Sequence, residues 1–154
     1  GPGDLQVLLS PCDWVIAPTT VFQPDLMVVR KDQLDLDEPF TGTPLLVVEV
    51  RSPSTAVTDQ TLKRQQYAQH GVAAYWLVDP GGPGGGAARG ARQSGGRAPS
   101  ETVRAPSETV RAPSLTVLRL WDGVYVEEAS VSGDDAHDAD FPFPVTVVPS
   151  RLVG

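Results

Sequence analysis

The stretch PLLVVEVRSPST, residues 44 to 55, has the composition of a buried β-strand that is interrupted by one carboxylate. The apolar run Leu45 to Val48 precedes Glu49, and Val50 follows it. A charge that leaves water costs several kcal/mol unless it is paired or coordinates a metal. The pattern therefore predicts a buried strand in which Glu49 has a partner. The alternative is an edge strand on which Glu49 faces water.

Strand and helix patterns alternate on both sides of this stretch. Residues 5 to 18 and 21 to 30 are predicted to be extended, because prolines interrupt runs of strand-forming residues. Thr58 as N-cap and Gly71 as stop enclose a predicted helix of about three turns. The run AAYWLVD, residues 73 to 79, is another strand candidate. This order predicts an α/β (α+β) fold with a mixed central sheet flanked by helices.

The C-terminal part of the chain is predicted to be β-structure. LTVLRLWDGVYVEEASV, residues 115 to 131, is typical of a β-hairpin that turns near Asp122 and Gly123. PVTVV, residues 144 to 148, predicts a further short strand. The acidic segment GDDAHDAD, residues 133 to 140, lacks the spacing of an EF-hand and is interpreted as a solvated loop.

Residues 80 to 114 form a Gly/Pro/Arg-rich insertion between two strand candidates. It contains tandem copies of RAPSETV, and the related copy RAPSLTV extends to residue 117. Each copy carries a proline and only one sizeable apolar residue, so the period of seven does not indicate a coiled coil. We expect a disordered or loosely extended insertion in a single domain formed by residues 1–79 and 115–154.

Composition limits the function classes. The formal charge of -7 argues against a broad basic surface, so nucleic-acid binding would depend on a local site. The insertion holds five arginines and two glutamates, which leaves 7 basic and 17 acidic residues elsewhere. Cys12 is the single cysteine, and we expect it to pack as a small apolar residue. No apolar run approaches the ~18 residues of a membrane span. We therefore expect a soluble, cytoplasmic protein.

Two carboxylates on neighbouring strand candidates could bind a metal. Asp25 follows Pro24 at the start of one strand, and Glu49 lies late in the next. Strand alternation places Asp25, Met27 and Val29 on one face of the first strand, and Leu45, Val47 and Glu49 on one face of the second. Two carboxylates with carbonyl and water oxygens suit Mg²⁺. Lys63 on the predicted helix could orient water or stabilise a developing phosphate charge.

Four segments together resemble a known nuclease family. They are PD at residues 24 and 25, VEVRSPST at 48 to 55, D-x-x-x-K-x-x-x-Y at 59 to 67, and GVAAYWLVDP at 71 to 80. In this order they resemble the Uma-type family within the PD-(D/E)XK superfamily, which has a restriction endonuclease-like fold. The resemblance covers residues 14 to 80 closely and 115 to 153 loosely.

The resemblance implies a metal-dependent endonuclease that hydrolyses DNA phosphodiester bonds with Mg²⁺ or Mn²⁺. It implies Asp25 and Glu49 as metal ligands, with the main-chain carbonyl of Val50 as a third. Arg51 occupies the position of the superfamily lysine and cannot lose its proton, so the lysine role is expected to move to Lys63. The resemblance suggests supporting roles for Arg51, Asp59, Gln66 and Tyr67. Such proteins usually carry a preceding helical region that contributes a glutamate, and we expect this sequence to start downstream of it.

Other interpretations stay open at this point. The chain could be a catalytically inactive nuclease-fold module that binds or interacts, or a β-rich structural domain that shares only the fold. Asp25 could simply be a residue at the entrance to a strand, and Lys63 could be a solvated helix residue. Tyr67, Tyr75 and Trp76 are expected in the core. DNA is the expected substrate and no membrane partner is expected, while a homodimer remains open.

Overall fold

A six-stranded mixed sheet forms the centre of the protein. The computed structural model describes residues 2–35, 37–51, 57–83 and 110–152. Their strands are β1 Leu5–Leu9, β2 Trp14–Ala17, β3 Thr20–Phe22, β4 Leu26–Arg30, β5 Leu46–Val50, β6 Ala74–Asp79, β7 Gly82–Pro83, β8 Val110–Arg111, β9 Ser114–Trp121, β10 Val124–Ser132, β11 His137–Ala139 and β12 Val145–Val147. The helices are α1 Val57–Gln69, α2 Pro149–Leu152 and the 3₁₀ turns Pro2–Asp4 and Lys31–Gln33.

The strand order in the central sheet is β1-β4-β5-β6-β9-β10. Strands β5 and β6 are parallel and are connected through α1, whereas the other neighbouring pairs are antiparallel. In the parallel pair Glu49 is the register partner of Leu77. The predicted mixed sheet is thus confirmed, and β5 is an interior strand of it. Three two-stranded pairs, β2-β3, β7-β8 and β11-β12, complete the β-structure of the described residues.

Side-chain alternation gives the sheet two buried faces. The face that packs against α1, here called the helix face, contributes Met27, Val29, Val47, Tyr75 and Leu118 to one core cluster. The opposite face contributes Val28, Leu46, Trp76, Val78 and Val117 to a second cluster. Because both faces are covered, β4, β5 and β6 are nearly continuous apolar runs rather than alternating ones. A carboxylate within β5 is therefore unusual for its position.

Most sequence-based element predictions are confirmed. The hairpin turns at Asp122 and Gly123, both of which have positive φ. Helix α1 ends at Gln69 and Gly71 has a positive φ, as its predicted role as helix stop requires. The helix begins at Val57, so Thr58 lies in its first turn and is not the N-cap. A capping residue type identifies a helix start only to within a residue or two, because several neighbouring positions can begin the same turn.

The remaining predictions have different outcomes. The acidic segment 133–140 is only partly a loop, because His137–Ala139 pairs with β12 as β11 and buries Ala139. Tertiary pairing overrides the low strand propensity of this segment. The central part of the insertion, residues 84–109, falls outside the described residues, so its predicted disorder and the domain boundaries remain predictions. Cys12 packs partly buried against the helix-face cluster, as expected.

No helix in the part of the chain that the structure describes is long and apolar enough to cross a membrane. The longest, α1, has 13 residues and is polar along much of its length. Its contribution to the fold is to cover the helix face, where Tyr67 and Ala68 contact the core cluster.

Candidate active site

Asp25 and Glu49 come together on the helix face of the sheet. Leu26 of β4 pairs with Val48 of β5, and the next step of the same antiparallel register sets Asp25 opposite Glu49. Both carboxylates follow the alternation of Met27 and Val47, which are register partners and belong to the helix-face cluster. The structure thus joins the two carboxylates that the sequence singled out.

Glu49 is a buried carboxylate in the middle of the sheet. Its residue is only 9% exposed, and β5 lies between β4 and β6. The edge-strand alternative for Glu49 is therefore wrong, because both backbone edges of β5 are paired. Burial raises the pKa of Glu49 above its ordinary value, and the negative charge of Asp25 adds to this rise. The Tyr67 hydroxyl and the charge of Lys63 act in the opposite direction and offset part of it.

The predicted partner of Glu49 lies on α1. The Tyr67 hydroxyl donates a hydrogen bond to Glu49 Oε2 at 2.6 Å. The Lys63 Nζ atom lies 3.7 Å from the same oxygen. Lys63 and Tyr67 are four residues apart on the helix and therefore lie on one helical face. One hydrogen bond and one ion pair from α1 thus meet at the same oxygen of the buried acid.

Aromatic packing fixes the position of Tyr67. The ring is fully buried, and its centroid lies 5.7 Å from that of Trp14, 5.4 Å from Phe22 and 5.2 Å from Tyr75. Trp14 is held in turn, because its Nε1 donates to the carbonyl oxygen of Gly42 at 2.8 Å. The predicted core role of Tyr67, Tyr75 and Trp76 is confirmed. Tyr67 combines this role with a direct hydrogen bond to the candidate site.

Asp25 is exposed but held by backbone contacts. Its Oδ2 accepts a hydrogen bond from the main-chain N–H of Val50 at 2.7 Å. Its own carbonyl oxygen accepts from the N–H of Ser10 at 3.0 Å. The first contact ties the entrance of β4 to the end of β5, where Glu49 lies. Asp25 is therefore not only the residue before β4, because its side chain also connects β4 to β5.

A second charged group lies at the same end of β5 and β6. Asp79 Oδ2 is 2.9 Å from Arg111 and 3.8 Å from Arg51, measured to an Nη1 atom in each case. Asp79 Oδ1 accepts from the N–H of Gly81 at 2.9 Å. Burial raises the pKa of Asp79, but the Gly81 N–H and the two guanidinium groups outweigh it and hold the pKa below its usual value. Sequence reasoning named Arg51 but missed Asp79 and Arg111.

Other sequence candidates lie apart from this site. The side chain of Asp59 falls outside the described residues. Gln66 is partly buried on α1, and no hydrogen bond to Asp25 or Glu49 is found for it within the described ranges. In the acidic segment, Asp134 and Asp138 accept hydrogen bonds from Ser150 and Thr146. Among the described residues, no three His, Cys, Asp or Glu side chains form a metal-binding group.

The chemistry of the donor set nevertheless suits a hard cation. Mg²⁺ commonly binds through one or two carboxylates and keeps several waters for the remaining positions. Asp25 and Glu49 provide two carboxylates, one exposed and one buried. A bound cation would also offset the repulsion between them, which is one cause of the raised pKa of Glu49. Two carboxylates with an adjacent lysine are thus residue types that suit a divalent metal and a phosphate group.

Comparisons with known proteins identify a family and a similar fold. The family model described as "Uma2: Putative restriction endonuclease" matches residues 2–146. A similar fold occurs in the crystal structure of "a putative nuclease belonging to DUF820" from Anabaena variabilis, with a TM-score of 0.54 and 16% sequence identity. That similarity covers 97% of this chain and 68% of the other, and at this identity it shows the fold alone. Comparison with curated proteins finds no match.

Proposed function

Because the chain belongs to the Uma2 family of putative restriction endonucleases, we propose that it is a metal-dependent endonuclease that hydrolyses DNA phosphodiester bonds. Membership supports nuclease activity on nucleic acid in general. The observation that carries the finer proposal is the convergence of Asp25, Glu49 and Lys63 on one face of the sheet. Carboxylates can hold a metal that polarises a phosphate oxygen, and an adjacent cation can stabilise the charge that develops on it.

In this proposal Asp25 and Glu49 hold Mg²⁺ or Mn²⁺, and the main-chain carbonyl of Val50 is a third ligand. The Val50 N–H points to Asp25, and in an extended strand the N–H and C=O of one residue face the same side. The carbonyl oxygen of Val50 therefore points to the side on which Asp25 lies, which supports this oxygen as a third ligand. When bound, the metal would polarise the phosphate and lower the pKa of a coordinated water.

The remaining side chains position the water or the Glu49 carboxylate, or neutralise charge on the phosphate. Lys63 lies next to Glu49 and, in the proposal, orients the attacking water or stabilises negative charge that develops on the phosphate. Arg51 cannot act as a base, because a guanidinium keeps its proton in proteins. Tyr67 holds the Glu49 carboxylate in place through its hydroxyl. Each of these roles rests on a contact with Glu49 or on the chemistry of the side chain.

Calorimetric titration with Mn²⁺ or Mg²⁺ tests the proposal, followed by cleavage of plasmid DNA. We expect the chain to bind metal and to nick DNA, and Asp25→Asn and Glu49→Gln to lose both activities. Glu128→Gln is a matched control. Glu128 is an exposed glutamate outside the site, and its Oε2 lies 3.7 Å from Nη1 of Arg119. Unchanged metal binding and cleavage in Glu49→Gln would refute the proposed site.

A catalytically inactive nuclease-fold module is the second candidate. One observation favours it, namely that the described residues supply only a pair of acidic groups at the site. The same experiment separates the two functions. A chain that binds DNA without cleaving it in Mg²⁺ or Mn²⁺ would be a binding module, whereas metal-dependent nicking that Glu49→Gln abolishes would establish the enzyme.

A further inference from the structure

An acidic protein that acts on DNA needs a local source of positive charge. The formal charge of this chain is -7, and two of its carboxylates, the proposed metal ligands, lie at the point where a phosphate would bind. Non-specific affinity for DNA comes mainly from lysine and arginine contacts to phosphates. Exposed guanidinium or ammonium groups near Glu49 that the fold holds in place would supply this charge.

Arg51 and Asp79 lie directly beyond the candidate site along the sheet. Arg51 is two residues after Glu49, and Asp79 is two residues after Leu77, the register partner of Glu49. Two strand residues span about 6.6 Å, and residues at this spacing point to the same face. Both side chains therefore belong to the helix face, next to Glu49 and not behind it.

Arg111 reaches the same place from the far end of the insertion. It belongs to β8, which pairs with β7 so that Gly82 and Arg111 are register partners. Gly81 has a φ of +73°, and a Cβ atom at this position would collide with the carbonyl oxygen of Arg111. The base of the insertion is thus closely packed, and it delivers Arg111 to Asp79 although 32 residues separate them in sequence.

The charges of this cluster are arranged with the positive groups outward. The Asp79 side chain is 17% exposed, whereas those of Arg51 and Arg111 are 48% and 53% exposed. Two guanidinium groups against one carboxylate leave a net charge of +1. An arginine carries five N–H donors, so a contact with Asp79 does not use up its capacity for a phosphate. Anchoring by Asp79 also limits the side-chain freedom that would be lost on binding.

From these observations we propose that Arg51 and Arg111, anchored by Asp79, form a binding site for the DNA backbone phosphates that flank the cleaved bond. This inference rests on the proposed nuclease function, which it extends with a contact surface. The site is non-specific, because phosphates carry no base information. It also gives a role to the base of the insertion, which places Arg111 beside the candidate active site.

Salt-dependent DNA binding tests this site on the full chain. Fluorescence anisotropy with a labelled duplex is measured at several salt concentrations in Ca²⁺, and a gel of the same samples checks that the duplex stays intact. We expect the slope of log K against log salt concentration to decrease in magnitude by about 0.9 in Arg51→Gln and again in Arg111→Gln, because each variant loses one phosphate contact. Arg51→Lys and Arg111→Lys should keep most of the slope.

Arg119→Gln is the matched control. Arg119 is also a partly exposed arginine in an ion pair, but its guanidinium lies 4.4 Å from the ring centroid of Phe141 on the opposite face. We expect its slope to equal that of the parent chain. Melting temperatures of all variants show whether a lost contact reflects a lost fold.

The outcomes separate this inference from the proposed function. Parent-like slopes in both glutamine variants, or an equal decrease in Arg119→Gln, would refute the phosphate site while metal-dependent cleavage could still hold. The expected decrease in a chain that binds no metal would support the phosphate site and refute the enzyme. A parent chain that binds no duplex would refute both.

Discussion

The Tyr67 hydroxyl donates a hydrogen bond to Glu49 Oε2 at 2.6 Å, and both residues are buried. This contact joins the helix that covers the sheet to the strand that carries the buried acid. It also explains how a carboxylate is tolerated in β5, because a charged acceptor that receives charge-assisted hydrogen bonds recovers part of its lost hydration. The packing of α1 and the geometry of the candidate site therefore depend on the same side chain.

Removal of the Tyr67 hydroxyl should affect stability and metal binding together. Tyr67→Phe keeps the ring contacts but leaves the Glu49 carboxylate without one of its donors. We expect the free energy of unfolding in urea to fall by about 1–3 kcal/mol and metal affinity to decrease. Tyr125→Phe is the control, because it removes a buried hydrogen bond to the carbonyl of Val72 in the same aromatic cluster. This control should lose stability but keep its metal affinity.

Divalent metal should stabilise the folded chain. A ligand that binds only the native state adds about 2.7 kcal/mol at a concentration of 100 times its Kd. We expect millimolar Mg²⁺ or Mn²⁺ to raise the melting temperature of the parent chain and to leave that of Glu49→Gln unchanged. Thermal unfolding in EDTA and in metal measures the difference. Equal melting temperatures of the parent chain under both conditions would contradict an assembled metal site.

Lys63 should contribute to catalysis more than to stability. Its side chain is 29% exposed and lies 3.7 Å from Glu49 Oε2, so a stability loss below about 1 kcal/mol is expected for Lys63→Gln. If the ammonium group acts on the phosphate or the water, the cleavage rate should fall by about 10²-fold or more. Lys31→Gln, which changes the only other lysine of the sequence, is the control and should cleave normally. Parent-like cleavage by Lys63→Gln would assign Lys63 a structural role.

The ion pairs of Asp79 with Arg51 and Arg111 should make the free energy of unfolding depend on pH under acidic conditions. The pKa of Asp79 is lowered in the folded state, so its contribution is present above the unfolded value near ~3.9 and is lost as pH falls through the folded value. We expect Asp79→Asn to be less stable than the parent chain by about 1 kcal/mol at pH 7. Urea unfolding at a series of pH values should show this difference shrinking below about pH 4. A stability difference between Asp79→Asn and the parent chain that stays constant down to about pH 2 would mean that it does not come from the charge of Asp79.

The turn at Gly81 should tolerate no side chain. Gly81→Ala would combine a strained positive φ with a collision against the Arg111 carbonyl. Gly123→Ala has a similar φ of +81° but open space around the added methyl group, so it isolates the backbone strain of about 1–3 kcal/mol. We expect Gly81→Ala to lose more stability than Gly123→Ala and also to weaken DNA binding, because Arg111 is displaced. Equal losses of stability would mean that the backbone near Arg111 shifts to make room for the added methyl group.

Local patterns in the sequence were sufficient for the elements that carry the candidate site. The apolar run before Glu49, the helix that ends before Gly71 and the turn at Asp122 and Gly123 can each be predicted from neighbouring residues. These features depend on backbone preferences and on side-chain period, which act over a few residues. The period of two also predicted that Asp25 and Glu49 each lie on a defined face of their strands.

Only the tertiary structure decided which of these faces meet and which partners they have. The register of β4 with β5 sets Asp25 opposite Glu49, and the path of α1 brings Tyr67 to a carboxylate 18 residues earlier. Arg111 reaches Asp79 only because β7 and β8 close the insertion at its base. Such contacts are non-local: their free energy depends on loop closure, burial and packing of the whole chain, and no short segment carries that information.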